Sequence, residues 1–414
     1  MSRINQPYSS LFSVNRPASF AALSLVLAVL SCLFATPQAQ AQNFTVLHTF
    51  GGSEGVFPTF GLVRDSAGNL YGATQYGGLY QNCDNEVGGG AVYKVDPSGK
   101  TTTLHAFNNG LDSCFPSSPL VIDNAGNLYG TTYGNSVFKI DSTGNFTTLF
   151  LFLRQAEGKD PTGTLFRDSQ GNLYGTTLSG GNNGCQYNLG CGTVFKLDAN
   201  GKETVLYAFT GGAGGFNPQA GVIRDSAGNL YGTATYGGNL SCRNGCGVVF
   251  KIDTTGKQTV LHTFSGGADG RWPSYPLVRD STGNLYGVTG FGGDLSCIPP
   301  QGCGTVYKIT PAGKKSILYS FKGGSDGSFP DGGLILDAAG NFYGTTAGGG
   351  STYNSGTVFK LDKSGNETIL HSFTTIDAGT NPGAGVIRDA QGNLYGTTAY
   401  GGRYGQGVLY KIVP

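Results

Sequence analysis

The side chains in this 414-residue sequence that could do chemistry are four histidines, nine cysteines and a scatter of isolated charges. Histidine suits general acid-base catalysis or metal ligation, so His48, His105, His262 and His371 are the first candidates. All four occupy one position of a recurring segment, where other copies carry Phe150, Tyr207 and Tyr319. A site that accepts Phe, Tyr and His alike asks for a flat ring, and residues spread over separate copies cannot converge on one metal. The charges that break the pattern are Arg154, Glu157, Lys159 and Asp160, then Arg271 beside Trp272, and Arg403 beside Tyr404. None forms an acid-base pair by spacing, and the sequence holds no Gly-x-Ser-x-Gly elbow, His-Glu-x-x-His helix or phosphate-binding loop. Lone acids in Gly-rich loops, Asp269, Asp326 and Asp377, are the remaining candidates for a cation, but they lack the further carboxylates of a calcium loop. No metal and no cofactor is expected.

The elements that must position these residues are repeats. Gly-Asn-Leu-Tyr-Gly begins at Gly68 and returns at Gly126, Gly171, Gly228, Gly283, Gly340 (with Phe342 for Leu) and Gly392, a period of 45 to 58 residues. In phase with it run a Pro upstream (Pro58, Pro116, Pro161, Pro218, Pro273, Pro330, Pro382) and an Asp three residues before the first Gly (Asp65 through Asp389). Downstream lies an aromatic-Lys step from Tyr93-Lys94 to Tyr410-Lys411, whose lysines read as solvated strand ends.

Each unit divides into four short segments rich in β-branched and aromatic residues. In the third unit these are Gly163–Asp168, Asn172–Thr177, Gly192–Asp198 and Glu203–Phe209. Two Asp-x-x-Gly connections suit tight hairpin turns, and the two long Gly-rich connections then fall together on the opposite face. The expected fold is all-β: a seven-bladed β-propeller of four-stranded antiparallel blades. The last unit stops after three strands while residues 44–50 form an orphan strand before the first, so pairing the two closes the ring and removes two exposed edges.

Residues 1–41 stand outside the repeat. Arg3 and Arg16, an apolar run from Ala18 to Ala35 and Ala39-Gln40-Ala41 read as a secretory signal, leaving residues 42–414 as the propeller. A lipobox-like Val29-Leu30-Ser31-Cys32 keeps a lipoprotein anchored at Cys32 as the alternative, and no later segment is long enough to span a bilayer. The other eight cysteines fit export, with Cys83 expected to bond Cys114, Cys185 to bond Cys191, Cys242 to bond Cys246 and Cys297 to bond Cys303. A formal net charge of +1 gives no field for nucleic acid.

The string Gly323-Gly324-Ser325-Asp326-Gly327 through Pro330, with Gly333-Leu334-Ile335-Leu336-Asp337, Tyr343-Gly344-Thr345-Thr346 and Gly356-Thr357-Val358-Phe359-Lys360-Leu361, resembles the GloVer tandem repeat of bacterial exported proteins. Its layout is similar to NHL-type propellers. The resemblance implies a cell-envelope, periplasmic or secreted location and no particular activity.

Aromatic residues on the long-loop face are the best candidates for binding. Phe57, Phe115, Trp272 and Phe329 stand just before the Pro, Phe216 one place further back, and Tyr76, Tyr133, Tyr236, Phe291 and Tyr400 open the other long loop. Such rings stack on sugars or grip a peptide. Trp272, the single Trp, with Arg271 beside it, is the expected anchor. The sequence thus supports a monomeric, non-catalytic recognition or scaffold protein that binds a polysaccharide or an envelope protein. The alternative is an extracytoplasmic lyase or hydrolase using Arg154, Asp160 or Arg271 at the channel mouth.

Overall fold

The computed structural model describes residues 43–414 apart from 79–82, 84–87, 109–112, 186–188 and 351–353. The expected signal, residues 1–41, lies outside the described residues.

Seven antiparallel sheets follow one another along the chain and form a β-propeller. The strand Asn43–Thr49 pairs with Val408–Val413, Phe44 opposite Ile412 and Thr49 opposite Val408, so the N-terminal strand completes the seventh blade as expected. The third strand of each blade is buried on both faces, as in Thr193–Leu197 and Val248–Ile252. The core therefore lies between blades: Tyr174, Val194 and Phe209 of the third pack with Val222, Leu230 and Phe250 of the fourth.

The pentapeptide repeats because each of its residues has a separate task. Its first Gly closes the hairpin at positive φ, 88° at Gly171, a conformation that costs Gly nothing. The Asn and Tyr converge on the Asp upstream. In the third blade Asn172 donates its backbone N–H to Asp168 Oδ1 at 2.9 Å and its side-chain amide to Oδ2 at 2.8 Å, and the Tyr174 hydroxyl donates to Oδ2 at 3.1 Å. Burial works to raise these carboxyls, but the hydrogen bonds outweigh it and all seven lie below their ordinary value. The last Gly makes room for the third strand: a Cβ on Gly175 would sit 2.6 Å from Phe195 Cζ. The next blade then clamps the Tyr, as where the Arg224 guanidinium lies 5.6 Å from the Tyr174 ring centre.

The histidine position is a blade-to-blade lock. His371 stacks on Phe44 at 3.9 Å and His105 on Phe146 at 4.0 Å, while the Tyr207 hydroxyl donates to Gln258 at 2.8 Å. His48 bonds Glu54 and Thr101; His262 bonds Asp269, which also pairs with Lys315 at 2.5 Å. Tyr319 donates to Asp326. Two of the loop acids are therefore taken up at blade junctions, and no group of three metal-binding side chains exists among the described residues.

One expectation needs correction. The sequence predicts a strand over Gly163–Asp168 in the third unit, yet only Phe166–Arg167 is a strand there, with a separate piece at Lys159–Pro161. The residues after the Pro leave the ladder in the third blade, whereas in the sixth Ser328–Leu336 is one strand whose register shifts between Asp331 and Ile335. The excursion that results lines the channel.

Candidate functional site

The residue before the Pro is left-handed in every blade. Phe57, Phe115, Asp160, Asn217, Trp272, Phe329 and Asn381 have φ between 56° and 63°. Such a backbone is disfavoured for residues with a Cβ, and more so before Pro, by about 1–3 kcal/mol each. It turns the N–H back onto the preceding blade: Trp272 donates to the Cys246 carbonyl at 2.9 Å, Phe329 to Cys303 at 2.9 Å and Phe57 to Gln406 at 3.0 Å. The strain thus holds seven side chains at fixed places around the long-loop mouth.

Those side chains meet the aromatics that open the other loop. One arc runs from Tyr400 to Phe57 (5.4 Å between ring centres), Tyr76 (6.1 Å) and Phe115 (5.5 Å). A second runs from Phe216 to Tyr236 (5.5 Å), Trp272 (6.1 Å), Phe291 (5.1 Å) and Phe329 (5.2 Å). Tyr133 stands near both Tyr76 and Asp160; burial first, then those two neighbours, raise its hydroxyl. The arcs are interrupted at the third blade, where Asp160 accepts from Ser179 at 2.6 Å, and between the sixth and seventh, where Gly348 and Asn381 replace rings. The second gap holds a pocket of about 650 Å³ lined by Asn354, Thr375 and Thr380 together with Ala347 and Ile376. The two gaps lie three and a half blades apart in a ring of seven, on opposite sides of the channel.

Trp272 is half-buried at the centre of its arc. Its indole N–H donates to the Gly245 carbonyl at 3.1 Å, so the residue offers a ring face and no free donor. The Arg271 guanidinium stacks 4.9 Å from Trp272 and 5.5 Å from Phe291, and its Nε has no protein partner. Arg154 projects into solvent with its side chain 84% exposed. None of Arg154, Asp160 and Arg271 lines the channel cavity. The four cysteine pairs are bonded as expected, and Gly211, Gly266 and Gly323 pack beside three of them.

The residues around the axis line a cavity of about 450 Å³. Each blade contributes the residue after its Pro: Thr59, Ser117, Thr162, Gln219, Ser274, Asp331 and Gly383. The Thr59 and Thr162 hydroxyls are buried without a protein partner. Asp331 is the one ionisable carboxyl among the described lining residues, which include no Lys, Arg or His. Burial pushes it up to about 6, against the hydrogen bonds it receives from the Tyr275 hydroxyl and the Gly332 N–H. Tyr275 is itself raised well above its ordinary value by burial and then by Asp331. Sequence reasoning missed both residues. The signal lay in the column after each Pro, where a single Asp stands among Thr, Ser, Gln and Gly.

A repeat model matches residues 32–242, 134–297 and 242–414, which together cover nearly all of the chain. The chain belongs to the Gloeobacter/Verrucomicrobia repeat family. Among curated proteins, none matches the sequence. Solved structures that resemble this Gloeobacter/Verrucomicrobia repeat protein include virginiamycin B lyase from Staphylococcus aureus, at a TM-score of 0.59 and 12% identity, covering 90% of this chain and 99% of that one. The extracellular domain of the hybrid two-component system BT4673 from B. thetaiotaomicron gives 0.56 and 13% identity, covering 89% of this chain and 39% of that one. That of BT3049 gives 0.53 and 16%, covering 90% and 41%. The chain spans about two fifths of those two chains. At these identities the likeness is one of fold.

Proposed function

We propose that this is an exported recognition protein whose long-loop face binds an extended polysaccharide lying across the channel mouth. The observation that carries the reading is the pair of aromatic arcs, Tyr400 to Phe115 and Phe216 to Phe329, flanking a channel cavity with polar gaps on opposite sides. Aromatic faces pack against the apolar faces of sugar rings, and the unpartnered Thr59 and Thr162 hydroxyls suit sugar hydroxyls. A linear chain would enter over Asp160 and Ser179 and leave over Asn381, with Trp272 as the central wall. Export follows from residues 1–41 acting as a signal and from four disulfides, which belong to an oxidising compartment. The extracellular position of the BT4673 and BT3049 domains agrees with that location. The fold is shared with a lyase, and Asp331, with its carboxyl raised toward neutrality, is the group an enzyme reading would use.

A binding screen of the purified protein against polysaccharides and envelope proteins tests the proposal. Trp272→Ala should weaken the polysaccharide at least tenfold, the effect of losing a central aromatic contact of about 2 kcal/mol, with the melting temperature little changed. Unaltered affinity in Trp272→Ala, or capture of an envelope protein alone, would reject the glycan reading. Turnover of a polysaccharide abolished by Asp331→Asn would replace it with the enzyme.

A further inference from the structure

Among the described residues, the lumen is lined by one ionisable carboxyl. Six of the seven residues that follow the Pro are neutral and the seventh is Asp331. Its surroundings are also particular to this part of the ring. Tyr275, in the fifth blade, is the sole phenol in its column, whose other members are Phe60, Ser118, Gly163, Ala220, Gly332 and Ala384. It reaches the sixth blade to donate to the carboxylate. In the seventh blade the facing residue is Gly383, where a Cβ would lie 2.9 Å from Asp331 Oδ2. The carboxylate is thus held by one neighbour and given room by the other.

An ionised carboxylate in such a place requires a counter-charge, and the described residues lining the lumen supply none. The mouth above is walled by aromatic rings, whose faces attract cations. Both features favour the same guest. We propose that the channel is a receptor for an organic ammonium group, carried by an amino sugar of the bound polysaccharide and paired with Asp331. The proposal rests on the glycan reading above and names the ligand's charged group. The cavity, about 450 Å³, falls within the span of small-molecule sites, about 300–1,000 Å³, so one sugar residue can insert while its neighbours lie along the arcs. The charged groups nearest the mouth, Arg271 on the fifth blade and Lys159 and Asp160 on the third, are half-buried and lie outside the cavity lining. Burial pushes the Asp331 carboxyl up to about 6, so putrescine, whose amines stay charged across this range, should bind about tenfold more tightly at pH 7.5 than at pH 5.

Calorimetric titration of the purified protein with three probes decides the matter: a β-1,4-linked glucosamine tetramer, its N-acetylated counterpart and putrescine. Asp331→Asn keeps the shape of the side chain, and Asp331→Ser introduces the residue that Ser117 and Ser274 already supply in two other blades, so both should fold. The expected result is tighter binding of the amino tetramer than of the acetylated one, weakened at least tenfold in both variants, with the acetylated tetramer unaffected. Equal affinity for the two tetramers, unchanged by either variant, overturns the ammonium site and leaves the glycan reading standing. Asp331-dependent binding of putrescine, with neither tetramer bound, upholds the ammonium site and removes the glycan. Binding of none of the three overturns both.

Discussion

Gly175 has no room for a methyl group. Its absent Cβ would fall 2.6 Å from Phe195 Cζ and 2.9 Å from Leu165 Cδ2, both buried. Overpacking of this kind typically costs about 1–3 kcal/mol, so Gly175→Ala should lower the melting temperature measurably. Tyr174→Phe, which removes only the hydroxyl bond to Asp168, should cost about 1 kcal/mol. A chemical-denaturation series that ranked the two the other way would show that the motif is held by the Asp-Tyr bond and not by the close approach of strands. The same residue-scale logic separates the two kinds of aromatic here. Phe195 and its equivalents are fully buried between blades, whereas Trp272 and Tyr400 are accessible at the mouth.

At the scale of strands and loops, the blade junctions are chemically unlike one another, and three of them hold Glu203, Glu367 and His371. Burial first, and then Glu157, push Glu203 up to about 7; burial and then Asp326 push Glu367 up to about 8. The folded protein holds these protons more tightly than the unfolded chain does. Their stabilising effect is complete below the ordinary carboxylate value and is lost as the pH rises toward 8. His371, buried against Phe44, is lowered to about 4. Its contribution is complete above the ordinary imidazole value of 6.5 and is lost as the pH falls toward 4, and below the ordinary carboxylate value the seven turn aspartates, held low in the folded protein, lose their stabilising contribution as well. Between the ordinary carboxylate and imidazole values the two glutamates, joined by Asp331 raised to about 6, outweigh the one histidine, so stability should peak at about pH 5 and fall toward pH 8. In melting curves across pH, Glu367→Gln should flatten the alkaline limb and His371→Phe the acid limb. A wild-type profile that rises steadily to pH 8 would contradict this.

For the molecule as a whole, the decisive contact is the one between its ends. Removing residues 43–49 would expose the edge of Val408–Val413 and strip Phe44 from His371, Phe373 and Tyr410. Blades share their hydrophobic cores with both neighbours, so an opened ring leaves two of them half covered. The truncated protein should melt at a lower temperature and less cooperatively than the full chain in calorimetry. A sharp transition at the original temperature would mean that the ring does not depend on that strand.

The number of blades, the four-strand unit and the closing strand were legible in the sequence because each depends on local chemistry repeated seven times: a turn that needs Gly, a carboxylate that needs Asn and Tyr, a third strand that needs Phe or Tyr. The cysteine pairs were legible for the same reason, since three of them close loops within one unit and the fourth joins adjacent blades. The residues lining the channel were not. Whether a side chain faces the lumen depends on the left-handed residue before each Pro and on the excursion after it, and a Trp, an Asn and an Asp at that position look alike to any propensity argument. Nor could the sequence show that Asp331 is alone, because a carboxylate between Pro and Gly reads as an ordinary loop acid. Only the closure of seven blades around an axis brings their Thr, Ser, Gln and Gly residues together, and that assembly makes one acid among twenty-five the one carboxyl among the described residues that line the cavity.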